Sequence, residues 1–480
     1  MKDRIVRRPY RWVFTFFFLL LIAIGTLEAA NPWVQTFNPL RTLYISPTGN
    51  GDGSQGNPMS FSNAINTALP GDLYWMMPGT YNGQRKFVRA GTSTNPIVWR
   101  GQSGAIINGG LELNASYNWV WGLEVKDPGM LGNLDGITLY GKGSHAINNL
   151  VHDIKGRVGI GAWNTGSGQV VYGNIVYKQI PNNNNPHNIY TQNSYSTYGI
   201  KYFVQNMVLD SWDATGNSYN FHAYAQGSYY SGYYVEKNIF RRGKFLIGGT
   251  NLPADNEVVN QNYYYDAPVL FGWSIPSQVK FTNNYLGKGW LETKYFWGAG
   301  ETKYTIPGPS IYTGNSIMKP TANHIIFRTA AYMPNYCLGC PKIRSGDSFN
   351  NNTYSSPFNA SFHADNYNAG TVSFTTWKSL TQGAGNPFDA NSTVVQTVSD
   401  KVVVLKNEYE SGRGNLAIYN WSLSSTKSVD LSSILAVGNS YKVLDPRNMG
   451  TPIAQGVYAG PINIPTSGKE FLALLVIKTN

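Results

Sequence analysis

The sequence predicts an all-β solenoid of short stacked strands, with a smaller β-sandwich behind it. Two periodic features and the composition carry that reading. An asparagine recurs at Asn149, Asn174, Asn206, Asn238, Asn262 and Asn284, at intervals of 25, 32, 32, 24 and 22 residues. Three residues before each stands Ala146, Val171, Phe203, Val235, Val259 or Phe281; two after stands Val151, Val176, Val208, Phe240, Tyr264 or Leu286. One apolar–x–x–Asn–x–apolar motif per coil is the pattern of a repeat that buries its core only by stacking on its neighbours. A strand enters, the Asn bonds backbone groups at a corner and its copies above and below, and a second strand leaves. Gly122, with Trp119 before it and Glu124 after, reads as an earlier coil without the Asn, and Asn315 and Asn352 as later, looser ones.

Four residues past each corner stand Lys126, Asp153, Lys178, Asp210, Arg242, Asp266 and Lys288, alternating in sign at every step. Stacked strands lie about 4.8 Å apart, so each charge would have opposite charges on either side. This register makes Asp210 and Asp266 members of an ion ladder rather than catalytic carboxylates. Composition agrees with an all-β chain. Charged residues are 13% of the 480, while Gly numbers 51, Tyr 33 and Trp 13, a balance that excludes disorder and suits aromatic stacking on sugars. The formal charge of +11 favours an acidic partner. No Lys/Arg block or nucleic-acid motif is present, so an acidic glycan fits better than DNA or RNA.

The amino terminus carries Lys2, Arg4, Arg7, Arg8 and Arg11, then an apolar run from Trp12 to Gly25, then Thr-Leu-Glu-Ala-Ala. That order reads as a signal peptide over residues 1–30, with an uncleaved anchor as the alternative. Secretion or residence in the cell envelope follows, with no other membrane contact and a monomer expected. The two cysteines, Cys337 and Cys340, are expected to close a small local disulfide.

The first elements follow at once. Ser60 can cap a short helix with Ala64, Ile65, Ala68 and Leu69 on one face, ended by Pro70-Gly71. Such a helix shields the first open strand edge of the solenoid. Asn95–Arg100 and Ala105–Gly110 read as early strands. From Leu43 the chain runs Tyr-Ile-Ser-Pro-Thr-Gly-Asn-Gly-Asp-Gly-Ser, then Ala64-Ile-Asn-Thr-Ala-Leu-Pro-Gly-Asp72, then Pro78-Gly-Thr-Tyr81. These blocks resemble the opening of right-handed parallel β-helix proteins of the pectate-lyase-like superfamily. Gly91-Thr-Ser-Thr-Asn-Pro-Ile-Val-Trp and Trp119-Val-Trp-Gly-Leu-Glu-Val are similar to the continuation in the chondroitinase-B and alginate-lyase group. The resemblance covers residues 43–355 and implies a right-handed parallel β-helix over 31–385. Its members include lyases, hydrolases, epimerases and adhesins, so it does not choose a reaction. After a linker at 382–393, β signals between Val394 and Ile477, separated by Gly/Ser/Pro/Asn turns, read as a carboxy-terminal β-sandwich over 394–480.

Each coil should carry a third strand ahead of its Asn corner. Asn188-Ile189-Tyr190-Thr191-Gln192 and His222-Ala223-Tyr224-Ala225-Gln226 match one another. With Ile189 and Ala223 inward, alternation turns Asn188, Tyr190 and Gln192 outward, beside His222, Tyr224 and Gln226. On the coil before, Gly159 and Gly161 would leave an open floor and Trp163 a stacking wall; on the coil after stand Lys244 and Gly248. Long inserts between Tyr177 and His187, and between Leu209 and Phe221, would wall this groove with His187, Trp212 and Asp213. Plain ladder stabilisation is the bland alternative for stacked Tyr and Gln.

For a lyase, one group must take the proton alpha to a uronate carboxylate while that carboxylate is neutralised. His222, Tyr190 and Tyr224 are the base or acid candidates. Asn188, Gln192 and Gln226 would hold the carboxylate, with Lys244 or Arg241 assisting. For a hydrolase, two carboxylates must flank the groove; Asp213 and Glu236 are available, with Glu236 expected on the wrong face. A non-catalytic glycan-binding envelope protein is the third reading. The polygalacturonase Asn-Thr-Asp with a later Asp-Asp is missing, as is the pectate-lyase Trp-Ile-Asp-His motif. The Lys/Arg pair and acidic calcium cluster of the chondroitinase-B group find no residue-by-residue match, so no metal ligands are assigned, no cofactor is expected and calcium is unsupported.

Overall fold

The computed structural model describes residues 31–479 except 133, 181–186, 212–217, 226–229, 250–253, 273–275, 295, 298–307, 329–340, 343–345, 365–366 and 384–387. The expected signal segment and the Cys337/Cys340 pair therefore lie outside the described residues. Among the described residues, 36–479 form one compact unit, from which 31–35 stand apart. Within that unit, three long sheets of 13, 12 and 12 strands pair in parallel, apart from the antiparallel last pair of the third sheet. Each coil visits the sheets in turn. His145–Ile147 lies in the first sheet, Leu150–Ile154 in the second and Val158–Ala162 in the third, before Val170–Tyr172 returns to the first. This is a parallel β-helix, with the separate antiparallel sheet expected at the carboxy terminus.

The corner between the first and second sheets is the asparagine ladder. The backbone N–H of Asn174 donates to Asn206 Oδ1 (2.9 Å), that of Asn206 to Asn238 Oδ1 (2.8 Å) and that of Asn238 to Asn262 Oδ1 (3.0 Å). Each Nδ2 also donates to the next Oδ1 and to the carbonyl of the apolar residue that opens the preceding motif, as Asn206 does to Val171 at 2.9 Å. Every one of these amides is buried, so no water competes for its bonds. The residue before each Asn adopts left-handed φ: 52° at Asn148, 55° at Gln205, 54° at Gln261. Asn315 and Asn352 are full rungs, and Ser392 receives the last backbone N–H at 2.8 Å. At the other end the register differs from expectation by one residue. Leu123, not Gly122, occupies the ladder position, because its N–H bonds Asn149 Oδ1 at 3.0 Å.

That shift breaks the first rung of the charge ladder. A register irregularity separates Val125 from Asp127, and Lys126 turns to Glu124 at 3.1 Å. The remaining rungs share left-handed φ of 47–56°, at Asp153, Lys178, Asp210, Arg242, Asp266 and Lys288. Lys178 pairs with Asp153 at 3.2 Å, while Asp210 pairs with Arg241 at 3.6 Å and with Arg447 at 2.9 Å. Lys288 pairs with Glu470, so the carboxy-terminal sheet captures part of the ladder.

Both ends of the core are plugged. Ser60 caps the helix Phe61–Thr67 through Asn63 N–H (3.1 Å), and Phe61, Ala64 and Ile65 are buried. Leu69, expected on that face, is exposed; Phe61 takes its place against Tyr81, Phe87 and Trp99. At the far end the helix Phe374–Gly383 buries Trp377, whose Nε1 donates to Asp389 Oδ2 at 2.8 Å. This helix enters the expected linker. Thr393–Val395 then pairs with Thr353–Ser355 as a last parallel strand, so the β-helix extends past residue 385.

From Lys401 five antiparallel strands form a sheet with one face on the second sheet of the β-helix. Ile175, Met207, Leu209, Ile239, Tyr285 and Met318 meet Leu405, Ala417, Tyr419, Trp421, Phe471 and Leu475 there. Its other face packs on the ribbon Thr426–Val429/Ile462–Pro465 around Ile418, Leu435 and Leu474. Where it is covered, the second sheet is thereby apolar on both faces, which is why Ile175–Tyr177, Met207–Leu209 and Tyr285–Gly287 lack alternation.

Replacing Asn206 by Ala orphans buried groups on two coils and should cost about 2–4 kcal/mol in guanidinium unfolding. Lys178→Ala, on an exposed rung, should stay within about 0.5 kcal/mol; equal losses would contradict the ladder's primacy. Deleting residues 401–480 should expose the apolar second sheet, seen as binding of an apolar fluorescent dye and as aggregation. A monodisperse, dye-silent 1–400 product would refute a shared core.

Candidate active site

The outer face of the third sheet carries a continuous run of aromatic and cationic side chains. Its central outward row reads Thr138, Gly161, Tyr190, His222, Leu246 by strand register. Tyr190 is therefore the direct neighbour of His222, not of Tyr224; the strands sit two residues from the expected register. Buried residues decide this. Asn188 and Asn220 form a second corner ladder, Asn188 Nδ2 donating to Asn220 Oδ1 (2.9 Å) and to Leu209 O (2.9 Å). Ile189 and Phe221 then share one core position. Asn188, expected to hold substrate, is fully buried and its Oδ1 accepts from Gln179 (3.1 Å). It is a corner residue.

Around Tyr190 the rings touch in sequence. Arg157 lies over Trp163 (4.9 Å), Trp163 meets Tyr190 edge-on (5.1 Å), and Tyr190 meets His222 (5.0 Å). His222 stacks on Tyr219 (4.2 Å) and on Tyr224 (5.2 Å), and Lys244 Nζ lies 5.5 Å from the Tyr219 ring. Tyr190, Gln192, Tyr219, His222, Tyr224 and Lys244 are all partly exposed. The Tyr190 hydroxyl and Gln192 Nε2 both donate to Tyr224 O, at 3.1 and 3.3 Å. A register shift between Tyr219 and Phe221 aims Tyr219 at this face, a common use of a bulge. No periodic signal marked Tyr219, since it falls in the irregular end of an insert.

The two histidines form a directed pair. Tyr219 N–H donates to His187 Nδ1 at 3.1 Å, so the hydrogen-bond network assigns the His187 proton to Nε2. His187 Nε2 lies 3.1 Å from His222 Nδ1, which must accept, and His222 carries its own proton on Nε2. Burial, and then repulsion from His187, hold the His222 pKa well below the usual imidazole value. His222 is thus a neutral N–H donor; acting as base at Nε2 would require reversing the His187–His222 bond and losing the Tyr219 N–H bond, since a backbone N–H cannot accept. Burial raises the phenols of Tyr190 and Tyr219.

The expected open floor is filled. A Cβ on Gly161 would lie 2.0 Å from Asp135 Oδ2, so the missing side chain admits a carboxylate from the preceding coil. Asp135 Oδ2 accepts from Trp163 Nε1 (2.9 Å) and Thr138 (3.3 Å), and Oδ1 lies 3.8 Å from Arg157 Nε. Burial pushes this carboxyl up to about 6, against the pull of Arg157 and the Trp163 bond. It holds the Trp163 and Arg157 side chains in place. Neither Gly159 nor Gly248 leaves space: an added Cβ would meet Asn188 O at 2.6 Å and Gly272 O at 2.4 Å respectively. Asp135 was legible only as Asp-Gly two coils before the matched strands.

Several expected residues stand elsewhere. Arg241 ends a strand of the second sheet beside Asp210, on another face. Glu236 lies in the first sheet, accepting from Tyr234 (3.1 Å) and Asn260 (2.7 Å). Trp212, Asp213 and Gln226 lie outside the described residues, as do 181–186 and 212–217 of the two inserts. Among the described residues no group of three His, Cys, Asp or Glu is placed to hold a metal, and no helix is long and apolar enough to cross a membrane.

No protein-family model matches this sequence, and no curated protein does. Similar solved structures include pectate lyase Pel9A, 17% identical over 70% of this chain and 80% of that one, with a TM-score of 0.34. The PL6 family alginate lyase AlyGC is 14% identical over 73% of this chain and 57% of its own, with a TM-score of 0.38. XylC, solved with xylose, is 10% identical over 90% of this chain and 100% of its own, with a TM-score of 0.42.

Proposed function

We propose that this chain is an exported polysaccharide lyase that cleaves an acidic glycan by β-elimination on the outer face of the third sheet. The supporting observation is the continuous strip from Arg157 through Trp163, Tyr190, His222 and Tyr219 to Lys244, open to solvent except at the buried Trp163 and cationic at both ends. Aromatic faces stack on pyranose rings, and the terminal cations suit uronate carboxylates.

His222 Nε2–H and Lys244 would bind the carboxylate of the sugar being cut and stabilise the charge that develops when its alpha proton leaves. Tyr190 would be the proton-transfer group. Its ionised oxygen takes the alpha proton, a carbon–carbon double bond forms as the glycosidic carbon–oxygen bond breaks, and the same hydroxyl returns the proton to the leaving oxygen. Tyr224 contributes its carbonyl, which orients the Tyr190 hydroxyl, and its ring. Hydrolysis is the second reading. It is favoured by Glu112, largely buried and paired in register with Thr138, which itself bonds Asp135. These are two carboxylates on adjacent coils of the same face. The basic and then apolar order of residues 2–25 directs export in this proposal.

Tyr190→Phe should lower turnover at least a hundredfold while retaining glycan binding, and His222→Ala should raise KM and lower kcat together. The assay follows unsaturated products by near-ultraviolet absorbance; reducing ends without that absorbance would turn the assignment to hydrolysis. Because burial raises the Tyr190 pKa above 10, the ionised form grows about tenfold per pH unit below that value. The kcat/KM should therefore climb through pH 7–9. With His222 held neutral well below its usual range, no acid limb should appear near pH 6.5. A bell centred near neutrality would contradict both assignments.

A further inference from the structure

A second cluster of charge lies away from this face, where the first sheet meets the carboxy-terminal domain. Trp75, Arg100 and Trp121 occupy one outward row on three successive coils. The Arg100 guanidinium lies 5.0 Å from the Trp75 ring and 4.1 Å from the Trp121 ring, between two aromatic faces. Against it comes the turn that joins strands Lys401–Lys406 and Arg413–Tyr419. The turn is tied down on both sides: Asn407 and Asn148 exchange amide bonds (2.8 and 3.3 Å), and Glu408 N–H donates to Tyr172 OH (2.7 Å). Its Glu410 accepts from Trp121 Nε1 at 2.6 Å, lies 3.5 Å from Arg100 and 3.9 Å from Arg413. A cavity of about 350 Å³ opens here, lined by Arg100, Tyr409, Glu410, Arg413 and Lys478 among others.

The charge in this cavity does not balance. Three cations line it and Glu410 is the one anion, already shared by Arg100, Arg413 and the Trp121 indole. Arg413 Nε is buried without a hydrogen bond, since 3.9 Å to Glu410 is too long. Lys478 is exposed at the rim. Gly412, at φ +79°, lets the turn abut that strand, because a Cβ there would come within 2.5 Å of Lys478 Cβ. A planar guanidinium held between two indoles keeps its orientation, which suits paired hydrogen bonds to a carboxylate. The volume lies within the range of small-ligand pockets, and Tyr409 supplies a ring beside the charges.

We propose that this cleft is a second saccharide site, taking a carboxylate-bearing sugar residue on Arg100, Arg413 and Lys478. Its ligand class rests on the acidic-glycan reading above, while its geometry does not depend on the catalytic face. The glycan chain would be held by the cleft and cut elsewhere, so affinity for long chains exceeds that for short ones through effective concentration.

The test titrates the full-length protein with glucuronate, glucose and inorganic phosphate, reading the fluorescence of the tryptophans that flank Arg100. Glucuronate should give a saturable change that weakens at least tenfold in Arg100→Gln and in Lys478→Glu, the latter at an exposed position that leaves folding intact. Glucose should bind far more weakly. Phosphate binding as tight as glucuronate would overturn the saccharide assignment in favour of a bare anion site. Affinities unchanged in both variants, or no saturable response, would overturn the site. Cleavage separates the two proposals: Lys478→Glu should raise KM several-fold on polymer while leaving short oligomers unaffected. Loss of that difference sinks the cleft alone, and the glucuronate titration repeated in Tyr190→Phe stands whatever that variant does to turnover.

Discussion

The buried corner amide holds this molecule in register. Each ladder Asn gives its backbone N–H and Nδ2 to the next Oδ1 and its second Nδ2 hydrogen to a carbonyl on the coil behind, as at Asn238, where the three distances are 3.0, 2.9 and 2.8 Å. A solenoid coil has no core of its own, so its position depends on contacts with two neighbours. The ladder makes that dependence directional, because an amide displaced by one residue would leave buried donors and acceptors unpaired on two coils at once. Strand length, loop length and surface chemistry can then vary from coil to coil without moving the stack.

The same device at the next corner sets the functional face. Gln179, Asn188 and Asn220 bond in series between the second and third sheets, and that series aligns Tyr190 with His222. Proton direction is inherited from this placement: Tyr219 N–H points at His187, His187 at His222, and His222 is left with one outward donor. Asp135, buried under Trp163 where Gly161 lacks a side chain, orients the strip from the other end. The aromatic surface is rigid because each ring is fixed by a buried polar partner or by a neighbouring ring.

The carboxy-terminal sheet divides the surface by occupation. It covers the second sheet with Tyr419, Trp421 and Phe471, and Tyr265 stacks on Phe471 at 4.5 Å. Where its edge turn reaches the first sheet, the packing changes from apolar to charged around Arg100 and Glu410. Its packing thus extends the core on one face of the prism and builds a polar cleft on another.

Parallel stacking, the position of the main corner and the existence of a carboxy-terminal β domain were legible in the chain. Each is written by short-range chemistry repeated many times: apolar–x–x–Asn–x–apolar, a charge four residues on, Gly/Pro turns. Tyr190, His222, Tyr224, Gln192, Trp163 and Lys244 were legible as one face because strand alternation keeps its parity under a shift of two residues, and His187 because it ends a long insert beside them. Register within that face was not, for matching the exposed Tyr and Gln pattern ignored the buried Asn188/Asn220 pair, and buried amides outweigh exposed side chains in aligning strands. Asn188 therefore left the site, and Arg241 belonged to another sheet. Asp135, Tyr219, the tautomer of His222 and the cleft at Arg100 arise from residues separated by tens to hundreds of positions. Local pattern determines which surface each strand presents; which atoms then meet across coils and domains is decided by packing, because the free energy of a buried contact depends on both partners being there.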